Sequence, residues 1–217
     1  MNKKLLAILG VVAIAVAGVL FMNQTGSSAN AETTAAANED LPDYLADRVM
    51  GEADALVTIV EYANFTCSHC GDFHRTVFDQ LKTEYIDTGK VKLVYREVIA
   101  DGPGVLATSL ARCLPENQYF GMASMLYTNQ QEWAYSQESL DGVKAQLTKY
   151  ANLAGLSKDD LNACFDDTAK QEEMLDNSRK NAEADKVQGT PTLILNGKTV
   201  KNWAWPELKA EIEAALK

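Results

Sequence analysis

Basic residues and histidine are scarce in this chain of 217 residues: 20 lysines and arginines stand against 30 acidic residues, with two histidines. The deficit excludes a sequence-independent nucleic-acid binder, because phosphate contacts need a positive surface. Lys3 and Lys4 are the only charges before Glu32, so the body of the chain is more acidic still. No internal repeat is present, and cysteine is limited to four residues. The 47% hydrophobic and 23% charged content is globular usage, which excludes a mainly disordered or fibrous protein.

The chain opens with a short basic start, Met1 to Lys4, and an 18-residue apolar run from Leu5 to Met22. A polar, small-residue stretch follows to Asp40. This order reads as a secretion signal with a small-x-small cleavage site at Ala29-Asn30-Ala31, or as an uncleaved single-span anchor. In both readings the lysines stay on the cytoplasmic side and the globular part faces outward. No cysteine lies near the end of the run, so a lipid-modified lipoprotein is not indicated. The expected layout is a signal peptide or anchor over 1–31, a flexible linker over 32–40 and a globular domain over 41–217. The expected location is periplasmic or otherwise extracytoplasmic, where disulfides persist.

Val57 to Tyr62 is a β-branched run and reads as a strand entering the Cys67 region. Phe73, Val77, Phe78, Leu81 and Tyr85 recur at helical spacing up to Gly89, and Val91 to Arg96 is a second strand. Strand, helix and strand in this length make a parallel βαβ unit. Asp101-Gly102-Pro103-Gly104 breaks the chain, and the patterns to about Lys186 are helical, which predicts an inserted helical subdomain over about 101–186. Ser157 to Asp160 supplies a helix cap there. Thr192 to Leu195 is again a strand, Asn196-Gly197 is a two-residue hairpin signal before Lys198 to Val200, and a last helix starts near Pro206. The predicted class is α/β, ordered βαβ, helical insert, ββα.

Cys67-Ser68-His69-Cys70 falls between the first strand and its helix, which places Cys67 at a helix N-terminus where unsatisfied amides stabilise a thiolate. His69 adds to this if it is protonated or donates a hydrogen bond. About 2 kcal/mol of such stabilisation is about 45 mV in a two-electron couple, and it favours the reduced form, so the disulfide becomes the reactive state. A structural disulfide across so short a loop would add little stability. A metal site on Cys67, Cys70 and His74 is the rival reading, with spacing C-x2-C-x3-H, but no fourth ligand follows. His74 is otherwise expected to be a solvated helix residue. Met122 and Met125 with Tyr119 and Tyr127 either line a peptide groove or belong to the core.

Glu61-Tyr-Ala-Asn-Phe-Thr-Cys67-Ser-His-Cys70, followed far downstream by Gly189-Thr190-Pro191-Thr192 and Asn196-Gly197, resembles the DsbA-like thiol:disulfide oxidoreductases of the thioredoxin superfamily. The resemblance spans about Leu41 to Lys217. It implies a thioredoxin fold with a helical insertion, Cys67 as the exposed attacking sulfur, Cys70 as its buried partner and a cis Thr190–Pro191 bond against them. Thr190 and Pro191, with Ser68, would then face an extended substrate segment. The resemblance also implies a structural disulfide between Cys113 and Cys164, the alternative being two buried thiols. Ser68 stands where the oxidases' familiar Cys-Pro-His-Cys has proline, which implies a less rigid loop and a less extreme redox poise. Glu61 matches the family's buried acidic residue, and Tyr95 stands where some members have a lysine partner. Glu61 is thus expected either to titrate alone, raised by burial, and relay the proton of Cys70, or to lie at a solvated strand end.

The expected activity is oxidation of cysteine pairs in newly exported or unfolded proteins by a monomer with no cofactor and no metal. A membrane-bound, quinone-linked thiol oxidase is the reoxidant that the family implies. The alternatives are a disulfide reductase or isomerase, a metal carrier, or a peptide-binding chaperone.

Overall fold

The computed structural model describes residues 41–217, so the expected signal or anchor over 1–31 and the linker over 32–40 lie outside the described residues. Five strands form one sheet in the order β1-β3-β2-β4-β5: β1 (Arg48–Met50), β2 (Val57–Ala63), β3 (Val91–Glu97), β4 (Thr192–Leu195) and β5 (Lys198–Thr199). The central pair β2 and β3 is parallel, with Glu61 opposite Tyr95, and every other pairing is antiparallel. β1 was not visible in the sequence, because three residues are too few to show alternation. Among the described residues no helix is long and apolar enough to cross a membrane.

The crossover from β2 to β3 starts as α1 (Ser68–Phe73) and runs on through a π-helical stretch (His74–Phe78), α2 (Asp79–Leu81) and a second π-helical stretch (Lys82–Ile86). Phe73, Val77, Phe78, Leu81 and Tyr85 bury against Val57, Ile59, Leu93, Leu193 and Leu195 on one face of the sheet. The last helix, α8 (Trp205–Ala215), adds Leu208 and Ile212 to that cluster and has Pro206 in its first turn. Asn196 and Gly197, both at positive φ, close the β4–β5 hairpin, as the Asn-Gly pair requires.

Between β3 and β4 lie α3 (Gly102–Cys113), α4 (Glu116–Thr128), α5 (Leu140–Leu153), α6 (Lys158–Asp166) and α7 (Thr168–Ala184). Their starts are written in capping residues: Asp101, Ser139, Ser157 and Asp167 each accept a hydrogen bond from the amide three residues on. Leu106, Leu110, Tyr119, Met122, Leu126, Tyr127, Trp133 and Leu147 pack into a core of their own. Tyr119, Met122 and Tyr127 are therefore core residues, with Met125 packed against them, and they line no peptide groove. This core reaches the sheet through Ala63, Phe65, Tyr95 and Cys70.

α7 covers the opposite face over Val60, Tyr62, Val94 and Ile194 and is tied down by charge. The Tyr62 hydroxyl donates to Asp185 at 2.5 Å and accepts from Arg96 at 2.8 Å, while Arg96 grips Asp47 through two further bonds of 2.8 Å. Arg112, near the end of α3, meets Glu97 at the end of β3 in the same two-pronged way, at 2.5 and 2.7 Å. Bidentate geometry of this kind orients planar groups as well as neutralising them.

The sulfurs of Cys113 and Cys164 are bonded, joining the end of α3 to α6 across a separation of 51 residues. A loop of that length constrains the unfolded chain by about 4 kcal/mol in the chain-entropy view. Replacing both residues by alanine should lower the urea midpoint of unfolding with little change in secondary structure; an unchanged midpoint would show that the bond adds no stability.

Candidate active site

β2 ends at Ala63 and α1 begins at Ser68, and Asn64 pins the turn between them. Its side-chain oxygen accepts from the Thr66 amide at 2.9 Å, and its carbonyl accepts from the Cys67 amide at 3.0 Å. Cys67 is consequently the N-cap residue of α1, with extended backbone at φ −79° and ψ 121°. The first amides of a helix have no partner inside it, so they are free to bond whatever sits at the cap. Here the amides of His69 and Cys70 reach the Cys67 sulfur.

The two cysteines are free thiols in very different surroundings. Cys67 is partly exposed, whereas Cys70 is fully buried. A hydrogen bond from Cys70, first of all, lowers the Cys67 pKa to about 5; bonds from the Thr190 side chain and the two amides help, and together they outweigh burial. The Cys70 thiol is pushed far up, first because its proton is bound to the Cys67 sulfur and then by burial. One sulfur is thus a thiolate at neutral pH while its neighbour keeps a proton. When protonated, Cys67 donates to the Thr190 carbonyl at 3.2 Å, which brings the Thr190–Pro191 loop against the pair. The Thr190–Pro191 bond is cis. Ser68 and His69 are exposed beside Cys67.

Glu61 lies at the end of the covered sheet face, fully buried, so the solvated alternative is excluded. It does not stand alone. His74 Nε2 is 2.8 Å from Glu61 Oε1, and the imidazole is 6% exposed, which corrects the expectation of a solvated histidine. The ring is stacked between Tyr127, at 4.1 Å between centroids, and Phe78, at 4.6 Å. The signal that could have found it was present: His74 shares the helical stripe of Val77, Phe78 and Leu81. The Tyr95 hydroxyl, opposite Glu61 across the sheet, is hydrogen-bonded to Tyr127 at 2.7 Å. Among the described residues Glu61 Oε2 is buried without a hydrogen-bond partner.

The insert supplies residues for which the sequence carried no signal. The Gln130 side-chain amide donates to the carbonyls of Phe65 and Cys67 at 2.7 and 2.8 Å, and the Tyr135 hydroxyl donates to that of Thr66 at 2.7 Å. Thr66 also bonds Asp101, the cap of α3, at 2.7 Å. Cys113 and Cys164 belong to the insert's own packing. Among the described residues no three Cys, His, Asp or Glu side chains converge as a metal would need, so Cys67, Cys70 and His74 do not form the ligand set considered above.

The chain as a whole is similar to known proteins in sequence and in fold. The family model described as Thioredoxin matches residues 44–214. A Rickettsia typhi protein that carries a protein-disulfide oxidoreductase name is 33% identical over 171 residues, covering 78% of this chain and 62% of that protein, so the chain spans under two thirds of the length of this relative. Disulfide bond formation protein D of Bacillus subtilis is 27% identical over 185 residues, covering 81% of this chain and 80% of that protein. The crystal structure of Wolbachia pipientis alpha-DsbA1, at 24% identity, superposes with a TM-score of 0.72 over 78% of this chain and 90% of that chain. The chain belongs to the thioredoxin family, and its fold, with a helical insertion between β3 and β4, is the one seen in that DsbA structure.

Proposed function

We propose that the chain is an extracytoplasmic thiol:disulfide oxidoreductase that works as a thiol oxidase on newly exported or unfolded proteins. The observation that carries the reading is the contrast in acidity within one pair: Cys67 is held as a thiolate near pH 7 and Cys70 as a buried thiol. A stabilised leaving thiolate makes the Cys67–Cys70 disulfide a good acceptor of two electrons. In the first step a substrate thiolate attacks the Cys67 sulfur, the Cys67–Cys70 bond breaks, and Cys70 leaves as a thiolate that takes up a proton. In the second, another substrate thiolate attacks its own sulfur in the mixed disulfide and releases Cys67, leaving the substrate oxidised and the protein with two thiols.

Glu61 is the group that exchanges the Cys70 proton in this scheme, with His74 holding the carboxyl in place. Thr190, Pro191 and Ser68 form the surface that a substrate segment meets, and His69 acts through its amide on Cys67. Cys113–Cys164 is structural. A membrane-bound, quinone-linked thiol oxidase is the proposed reoxidant, and the working unit is a monomer. The basic start and apolar run before Asn23 support the location, as does a second cysteine pair in bonded form.

Three outcomes follow. Thiolate absorbance of the reduced protein should titrate with a midpoint near pH 5, and Cys67→Ser should abolish it together with oxidation of a reduced model protein; retained oxidation by that variant would refute the mechanism.

The sign of the pH dependence is fixed by the same shift. The Cys67 pKa falls from an ordinary value of 9.0 to about 5, so the ionised sulfur stabilises the folded dithiol form fully above pH 9, and this is lost as pH falls through 5. Urea unfolding should show the dithiol form gaining on the disulfide form from pH 5 to pH 9, whereas a constant difference contradicts the assignment.

Glu61→Gln should slow the attack of Cys70 on a preformed mixed disulfide by roughly 10²-fold, the size of a lost general base, with the Cys67 titration little changed. Rapid-quench thiol trapping reads this, and an unaltered rate would remove Glu61 from the proton path.

A further inference from the structure

We propose that Gln130 and Tyr135 are positioning residues that set the acidity of Cys67, so that the helical insert tunes the redox pair through the backbone that precedes it. The inference deepens the oxidoreductase reading and rests on it for its functional meaning. Three consecutive carbonyls, those of Phe65, Thr66 and Cys67, accept hydrogen bonds from one short segment of the insert. Gln130 spends both amide protons on the outer two, and Tyr135 takes the middle one.

The wide turn after α4 makes this possible. Residues Gln131–Tyr135 are π-helical, with the Ser136 amide bonded to the Gln131 carbonyl five residues back. Such a turn brings residues five apart to one side, and so carries Gln130 and Tyr135 toward the same stretch of chain. Trp133 anchors the turn, buried and donating its indole proton to the Leu126 carbonyl at 2.8 Å.

A peptide plane carries its carbonyl and the following N–H on opposite sides, so fixing one end fixes the other. The planes on either side of Thr66 are held at both ends. Gln130 and Tyr135 take their carbonyls, while Asn64 takes the amides of Thr66 and Cys67. The third plane is held by Gln130 at 2.8 Å and by the Gly71 amide at 3.1 Å. Rotation of any of the three would swing a carbonyl dipole toward the Cys67 sulfur, or shift that sulfur off the helix N-terminus, and both disfavour a thiolate.

Two further observations show that the clamp is built in. Gln130 is 2% exposed, and a Cβ at Gly71 would lie 2.5 Å from Gln130 Oε1, so the helix carrying Cys70 leaves room for this amide where any other residue would collide with it. Tyr135 is 46% exposed, and its hydroxyl proton is held more tightly than usual, first by burial and then by the nearby Cys67 charge. A partner approaching Cys67 therefore meets a side chain that is itself part of the clamp.

The test is the ionisation of Cys67 in the purified full chain, read by thiolate absorbance, with the equilibrium against glutathione measured beside it. Gln130→Met keeps the length and drops both donors; Tyr135→Phe keeps the ring and drops the hydroxyl. The proton affinity of Cys67 should rise about tenfold in Gln130→Met and about threefold in Tyr135→Phe, and the glutathione equilibrium should move toward the disulfide form by the same factors. If both variants fold but titrate like the parent, or if only their unfolding midpoints fall, the proposal is overturned. Should Gln130→Met fail to fold, the half-exposed Tyr135→Phe decides alone. A parent protein that titrates near pH 5 yet oxidises no reduced substrate would refute the oxidase reading and leave the clamp intact.

Discussion

A sulfur held against the first amides of a helix is the contact on which the rest of this molecule depends. That contact needs a strand to stop and a helix to start within a few residues, with the sulfur at the cap. The sheet provides the stop, because β2 is central and paired on both sides up to Tyr62. The apolar stripe of α1 and the segment after it provides the start, because Phe73, Val77 and Leu81 cannot leave the sheet face without exposing the core. The chemistry at Cys67 is thus a by-product of ordinary packing, directed to one atom.

The second constraint is the dry interior behind that atom. Cys70, Glu61, His74, Tyr95 and Tyr127 sit where the insert's core meets the sheet, and water is replaced there by aromatic rings. Burying a carboxyl is costly unless it is bonded, and His74 meets that demand with a ring nitrogen 2.8 Å from Oε1. A lysine at the same place would bring a fixed ammonium charge. The Glu61–His74 contact at 2.8 Å instead ties the carboxylate of the sheet to a ring of the crossover helix, in a place closed off from solvent. Among the described residues the Oε2 of Glu61 is left without a hydrogen-bond partner.

Much of this was legible before any coordinates. Local signals were read correctly where one residue determines the outcome, as with Asn196-Gly197 at the hairpin, Ser157 at its cap, and the β-branched runs at Val57 and Val91. The Cys-x-x-Cys with Thr190-Pro191 carried the resemblance, although the two motifs are more than a hundred residues apart. What stayed hidden depends on tertiary neighbours. His74 looked polar and therefore solvated, since a sequence does not show that Glu61 faces the same space. Gln130 and Tyr135 lie in a polar stretch, Asn-Gln-Gln-Glu-Trp-Ala-Tyr, whose side chains reveal nothing until the turn winds wide. β1 is held by its pairing to β3 and by Arg96–Asp47 at its edge rather than by any pattern of its own.

Gly71 records a history as well as a fit. Because the side chains of Gln130 and Arg75 fill the space that a Cβ at 71 would take, position 71 cannot drift independently of its neighbours. A lineage that acquires alanine or a larger residue at 71 must first shorten the residue at 130 or move the turn that carries it. The order of those changes matters, since the reverse order passes through a steric clash beside the reactive sulfur. Divergence beside the reactive sulfur is then directional: position 130 can change while glycine stays at 71, but a side chain at 71 has to wait until its neighbours make room.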